Sequence, residues 1–269
     1  MKENAIKCIA IDLDGTLLND EHELSEGNAR AIGRAVAEGI TVILATARPP
    51  RATLKVYQKL NLSTVTINYN GSLIHHPPSR SHRRHRPILG QLAAAITREA
   101  FKHAPEVVLS AEILDQWYTH RVEPRYPTQT SVHFQPDYLG PVDTFIHQPI
   151  TKLQFLLAPE RLGPLEHHLL SVFKDQIAVA ISDRYLLQIM AKDVSKGHAL
   201  GWLARSYGFD SSEILAIGDA PNDIPLFEAS GVSVAVGNAW EEVKQRATIV
   251  GPTHNQDAVA WAINRFTLA

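Results

Sequence analysis

Asp12 and Asp14 stand one residue apart at the end of the apolar run Ile9-Ala10-Ile11, and Gly15-Thr16 follows at once. On an extended segment the two carboxylates point the same way, because side chains alternate along a strand. Glycine after them lets the backbone come close to a ligand. In a parallel sheet, reacting groups gather beyond the carboxyl ends of the strands. Two carboxylates aimed at one spot suit a hard cation bound through oxygen, or a nucleophile beside an acid/base.

Three other segments fall at equivalent places in the chain. Thr46 ends the apolar run Val42–Ala45, with Ala47 and Arg48 after it. Lys196 opens a helical pattern. Gly218-Asp219-Ala220-Pro221-Asn222-Asp223 follows the run Ile214–Ile217. Each alone reads as a helix cap, a solvated lysine or a turn whose acid complements the next helix dipole. Together they compose a site for phosphoryl transfer. A phosphate monoester dianion repels nucleophiles, so catalysis must neutralise charge and align the attack. A carboxylate can take the phosphoryl group and split one hard step into two. Asp12 and Asp219 supply carboxylates for Mg²⁺, Asp14 a second acid to protonate the leaving alcohol and then activate water, and Thr46 and Lys196 a grip on the transferring oxygens.

The elements that must position these residues alternate. Strands are expected at Ala5–Ile11, Ile40–Ala45 and Val65–Asn68, and helices at Ser25–Glu38, capped by Ser25 and ended by Gly39, and at Pro49–Lys59. Asn70-Gly71 signals a turn. Residues 75–87 are rich in His, Arg, Ser and Pro. The basic stretch Arg80–Arg86 reads as a solvated linker, with an electrostatic funnel for anions as the sharper alternative. Next come a helix near Ile88–His103 and strand-like runs at Glu106–Ala111, Gln116–His120, Lys152–Leu157, Gln176–Ile181 and Tyr185–Ile189. Leu162–Lys174 reads as another helix. Glu123–Pro149 holds five of the sixteen prolines and resists assignment. The α/β rhythm resumes with helix Lys196–Tyr207, strand Ile214–Ile217, helix Asp223–Ala229 and strand Val232–Val236. A helix at Glu241–Arg246, a strand at Thr248–Val250 and a helix at Asp257–Arg265 close the chain. The fold class that fits is α/β, a Rossmann-like parallel-sheet core over 1–79 and 189–269 with an inserted α+β cap over 80–188.

Composition agrees. The chain has 269 residues, 45% hydrophobic and 20% charged, enough for a sizeable core. Lys plus Arg number 26 against 28 Asp plus Glu, which argues against a general nucleic-acid binder. Cys8 is the one cysteine, so no intrachain disulfide forms and a reducing compartment fits. With no apolar run long enough to span a bilayer and no secretory pattern, a cytoplasmic protein is expected.

The set D-x-D-G-T, strand-end Thr46, distant Lys196 and G-D-x-x-N-D resembles the haloacid dehalogenase superfamily, and within it the Cof-type phosphatases with a large inserted cap. Asn70-Gly71, Ser195-Lys196-Gly197 and Gly237-Asn238-Ala239 extend the resemblance over nearly the whole chain. It implies Asp12 as nucleophile, Asp14 as general acid/base, and Thr46 and Lys196 as catalytic phosphate ligands. Substrate phosphate would meet Asp12, Gly15, Thr46, Ala47, Arg48, Asn70, Gly71, Lys196 and Asn222. Mg²⁺ would be held by Asp12, the Asp14 carbonyl and Asp219, supported by Asn222 and Asp223. The partner implied is a small phosphorylated metabolite, a sugar phosphate or phosphorylated cofactor. Three departures stand out: Ala47 where glycine is usual after the threonine, Met190-Ala191-Lys192-Asp193-Val194 before Lys196 where a proline or glycine is common, and Asp257-Ala258 where Asp-Gly is usual. The alternatives are a phosphotransferase or sugar phosphomutase, a non-catalytic binding module on the same fold, and a phospho-acceptor signalling domain.

Overall fold

The computed structural model describes residues 5–267. Contacts divide the chain into two compact units, one of residues 1–83 with 195–269 and the other of residues 84–194.

The first unit begins with β1 (Cys8–Ile11), α1 (Glu26–Ala37), β2 (Thr41–Ala45), α2 (Pro50–Lys59) and β3 (Thr66–Asn68). Ser25 caps α1, its side chain accepting from the Asn28 N–H, and Pro50 occupies the first turn of α2, where no amide donor is needed. A tight turn at Tyr69–Gly71 leads to β4 (Leu73–His76) and then β5 (Ser81–His85). Here the expectation of a solvated linker is corrected: five residues of the basic run form the edge strand of the main sheet. Charged side chains at an exposed edge keep such a strand from pairing with another chain, which is why a strand reads as a linker in sequence.

The second unit contains α3 (Gly90–His103), β6 (Val108–Ile113), β7 (Gln116–Thr119), α4 (Gln129–His133), β8 (Tyr138–Leu139), β9 (Lys152–Leu156), α5 (Pro159–Phe173), β10 (Ile177–Asp183) and β11 (Leu186–Ala191). The proline-rich stretch that resisted assignment thus supplies one short helix and one short strand. The strands form a six-stranded sheet in the order β10-β11-β9-β6-β7-β8. Leu109, Ala111, Leu153, Phe155, Leu187 and Ile189 pack on Ile96 and Ala100 of α3 and Leu165 and Leu169 of α5.

The first unit then resumes with α6 (Lys196–Tyr207), β12 (Ile214–Gly218), α7 (Ile224–Glu228), β13 (Val232–Ala235), α8 (Glu241–Lys244), β14 (Ile249–Val250) and α9 (Ala258–Phe266). Its sheet runs β14-β13-β12-β1-β2-β3-β4-β5. β1 lies at the centre, parallel to β12 on one side and β2 on the other, and Ile9, Ala10 and Ile11 are fully buried. The expected α/β class with a parallel-sheet core is what the structure has. Among the described residues, no helix is long and apolar enough to cross a membrane.

Candidate active site

The ends of β1, β2, β3 and β12 and the start of α6 converge because the registers align them: Ile11 pairs with Ile217 on one side and Leu44 on the other. The next residues along, Asp12, Gly218-Asp219 and Ala45-Thr46, therefore reach the same edge. The Asp12 N–H donates to the Ile217 carbonyl at 3.0 Å, and the Thr46 N–H to the Ile67 carbonyl at 2.8 Å, which extends the ladder to the site itself.

Lys196 is the pivot. It is 1% exposed, and its ammonium donates to Asp12 Oδ1 and to Asp223 Oδ1, both at 2.6 Å. A lysine in such a place is ionised only because two carboxylates outweigh the desolvation that opposes its charge, and its proton is held above the ordinary value. The other oxygen of Asp223 accepts from the backbone N–H groups of Asp219 at 3.0 Å and Ala220 at 3.1 Å. Asp223 is thereby committed to shaping the turn after β12 and anchoring Lys196.

Asp12, Asp219 and Asp223 bring carboxylate oxygens within 4.8 Å of one another. Burial, with repulsion from Asp223, Asp219 and Asp14, pushes the Asp12 carboxyl well above the ordinary value against the pull of Lys196. Burial and the Asp223 charge push Asp219 up to about 6. Crowded acids that resist ionisation in the bare protein gain from a divalent cation, and an all-oxygen donor set suits Mg²⁺ rather than a softer metal. Gly15 completes the cradle. Its φ is +75°, and a Cβ there would lie 2.6 Å from Asp219 Oδ2. Thr16, which was not singled out from the sequence, donates to Asp219 Oδ1 at 3.0 Å. Asn238, noted only as part of the resemblance, donates to the Gly15 carbonyl at 2.8 Å.

Asp14 behaves differently from Asp12. Its side chain is 41% exposed and is gripped by the Arg48 guanidinium, which donates through Nε at 2.8 Å and through a second, shorter bond. His22, also missed in the sequence, places Nδ1 at 3.6 Å from the same carboxylate. Thr46 is buried, and its Oγ1 accepts from the Arg48 N–H at 3.1 Å.

Asn70 and Gly71 lie beside Thr46, the turn after β12 and the start of α6. Asn70 is buried in the left-handed region at φ +55°, its Oδ1 accepts from Asn222 Nδ2 at 3.0 Å, and its own Nδ2 is buried without a protein acceptor. Such a donor costs free energy unless something accepts from it. Gly71, at φ +102°, lies where a Cβ would come within 2.3 Å of the Ser195 carbonyl just before α6. Ala47 is part-exposed and lies outside the left-handed region.

The family model for haloacid dehalogenase-like hydrolases matches residues 9–263. The chain belongs to that family. Among its relatives, 5-amino-6-(5-phospho-D-ribitylamino)uracil phosphatase YwtE of Bacillus subtilis is 31% identical over 97% of this chain and 98% of its own length. A second B. subtilis phosphatase of the same description, YitU, is 28% identical over 94% of each chain. Among solved structures, a Thermotoga maritima protein superposes with a TM-score of 0.84 at 31% identity, over 97% of this chain and 98% of that one. A haloacid dehalogenase-like hydrolase of Bacteroides thetaiotaomicron gives a TM-score of 0.86 at 26% identity, over 97% and 99%. This member of the family is a phosphatase.

Proposed function

We propose that the enzyme hydrolyses a small phosphate monoester through an aspartyl-phosphate on Asp12, with Mg²⁺ at the Asp12–Asp219 carboxylates. The observation that carries this reading is the buried Lys196 bridging Asp12 and Asp223 beside the acidic trio. The cation would be held by Asp12, Asp219 and the Asp14 carbonyl, with Asn222 and Asp223 in support, and would shield the approach of one anion to another.

Asp12 attacks phosphorus and the ester P–O bond breaks. The leaving oxygen takes the proton of the Asp14 carboxyl. Asp14, now ionised, removes a proton from water, which attacks the phosphorus, and the P–O bond to Asp12 breaks to release inorganic phosphate. Lys196, Thr46 and the orphaned Asn70 amide hold the transferring oxygens, and Arg48 holds Asp14 until substrate arrives. Residues 1–79 and 189–269 would form the catalytic core and 80–188 the cap, which opens and closes as lids do. The names of the two B. subtilis relatives bring a phosphorylated ribityl compound into the substrate class, alongside sugar phosphates and phosphorylated cofactors.

The test is phosphate release from a panel of sugar, nucleotide and cofactor monoesters with and without Mg²⁺, with Asp12→Asn alongside. Intact-mass measurement after acid quench reports the covalent phosphoryl group. Metal-dependent release with a phosphorylated Asp12 supports the reading. Transfer to an added alcohol in place of release would make the enzyme a phosphotransferase, and no turnover of any monoester would leave a binding role.

A further inference from the structure

A cavity at the edge of the main sheet opposite the carboxylates is not used by the proposed phosphatase chemistry. Its volume is about 250 Å³, and all of its walls belong to the first unit. Ser63, Thr64 and Val65 on its wall lead into β3, whose far end reaches Thr46 and Asn70. Lys196 opens α6 in the active site, whereas Trp202 and Tyr207 from the later turns of the same helix line the cavity. At about 1.5 Å per residue, the two ends of α6 are about 17 Å apart.

The lining is aromatic and carries one charge. Trp202, Tyr207 and His76 supply rings and Arg83 a cation, and among the described residues no acidic side chain lines the cavity. His76 has both nitrogens engaged, Nδ1 with Ser79 Oγ at 2.6 Å and Nε2 with the Ser63 carbonyl at 3.2 Å, so it offers a ligand its ring alone. Thr64 Oγ1 donates to the Val42 carbonyl and Ser206 Oγ to the Trp202 carbonyl at 2.9 Å, which commits both hydroxyl protons. Two donors are left. Arg83 is exposed and, among the described residues, pairs with no carboxylate. Tyr207 is 44% exposed, and among the described residues its hydroxyl has no hydrogen-bond partner. Burial holds the Tyr207 phenol above its ordinary value against the opposing charge of Arg83, so it stays a donor and lies near enough to the guanidinium to feel it.

A guanidinium and a phenol with no acid beside them fit an anion, and a carboxylate can take a guanidinium through two parallel hydrogen bonds. One positive charge matches a monoanion such as a carboxylate better than the dianion of a phosphate monoester. Aromatic walls fit a planar apolar body, packed offset or edge to face. The size agrees: a cavity of about 150 Å³ holds benzene, so this one has room for one ring or two fused rings.

We propose that this cavity binds a small aromatic carboxylate at the end of α6 remote from Lys196. The experiment is a calorimetric titration of the full chain with β-naphthoate, in saturating Mg²⁺ and inorganic phosphate so that the catalytic edge is filled. Two comparison compounds take the ligand apart: β-naphthylmethanol keeps the rings without the charge, and cyclohexanecarboxylate keeps the charge without the rings. Arg83→Gln and Tyr207→Leu are titrated in parallel, with Arg121→Gln as a control cation in the second unit. The expected result is saturable binding of β-naphthoate with Kd below about 1 mM. It should weaken by at least about tenfold in Arg83→Gln, as loss of a hydrogen bond to a charged group does, weaken in Tyr207→Leu, and stay unchanged in Arg121→Gln. Both comparison compounds should bind more weakly than β-naphthoate. No saturable binding, an affinity unchanged in Arg83→Gln, or a comparison compound that binds as tightly as β-naphthoate would overturn the proposal. Arg83 and Tyr207 are exposed, so their replacement leaves the fold intact, and urea unfolding of each variant checks that.

Discussion

The two sheets of this protein bury charge in opposite ways. In the eight-stranded sheet the central strands β1, β2 and β12 are apolar along nearly their whole length and the charged groups gather beyond their ends, where Asp12, Asp219, Asp223 and Lys196 meet. In the six-stranded sheet polar groups lie along the strands themselves. Ser110 stands opposite Gln154, which stands opposite Gln188, and Glu112 stands opposite Lys152, all five of them buried. The first arrangement keeps an unrelieved electrostatic cost in one place, where a ligand can relieve it. The second distributes polar groups in facing rows, with Ser110 Oγ accepting from Trp117 Nε1 at 3.1 Å and no hydrogen bond accepted at Gln188 Oε1. The contrast separates residues held for chemistry from residues held for architecture, and substitutions in each sheet should separate activity from stability.

The largest effect is expected at Asp12. Asp12→Asn should lower turnover by more than about ten-thousandfold, the scale seen when a nucleophile that works as part of a unit is removed. Its stability to urea should stay within about 1 kcal/mol of the parent, an ordinary change for a point variant. Burial already drives the Asp12 carboxyl towards its neutral form, so a neutral amide of the same shape loses little in the fold. Lys196→Ala should cost about a hundred- to thousandfold in turnover, as removal of one preorganised donor does. Steady-state kinetics and denaturant curves on the same preparations check both, and an Asp12→Asn protein that turns over substrate normally would remove Asp12 from the mechanism.

The second sheet should give the reverse pattern. Lys152→Met puts an apolar side chain opposite the fully buried Glu112 and should cost about 1–3 kcal/mol in denaturant unfolding, the scale for removing a buried polar group from its neighbours. Turnover of a minimal aryl phosphate should be nearly unchanged. Loss of that activity with stability retained would erase the division between the two sheets.

Legibility in sequence follows the same division. The strand-end residues Asp12, Thr46 and Asp219 are readable because each is a chemically distinctive type close after an apolar run; the registers bring these three segments together, and Lys196 joins them from the start of α6. The row Ser110–Gln154–Gln188 is not readable, since its members become neighbours only once three strands are aligned. Thr16 and His22 were missed for a related reason. Thr16 acts through Asp219, 203 residues away, and His22 is a solitary histidine whose left-handed backbone brings its ring to Asp14. The edge strand Ser81–His85 was misread because charge, the sign of a solvated linker, is also what protects an exposed strand.

A smaller effect tests whether the acidic cluster is built for a cation. Asp219 titrates near 6 in the metal-free fold against an ordinary 3.8, so between those values the metal-free fold binds more protons than the unfolded chain and gains stability from this group as pH falls. Magnesium competes with that proton. The rise in melting temperature on adding Mg²⁺ should therefore be greatest above pH 7 and shrink as pH falls through about 6. Thermal melts at fixed Mg²⁺ across this range check it. A shift that is independent of pH, or absent in the parent and in Asp219→Asn alike, would show that these carboxylates do not hold the ion.

The smallest effect is expected at the departure from the Thr-Gly-Arg pattern that the resemblance implied. Ala47 follows Thr46, at the step where a glycine would suggest that the backbone needs freedom. The left-handed non-glycine residues of the described chain include Asn70 and His22 but not Ala47, so the turn from β2 into α2 places no demand there that alanine cannot meet. The bond from the Arg48 N–H to Thr46 Oγ1 spans this residue and forms with the methyl in place. Ala47→Gly should accordingly change turnover by less than about twofold and, at a part-exposed position, lower stability by about 0.4–1 kcal/mol through the added freedom of the unfolded chain. A large gain in turnover would mean that the methyl group holds Thr46 and Arg48 away from their working positions, and that the grip of Arg48 on Asp14 belongs to a resting arrangement.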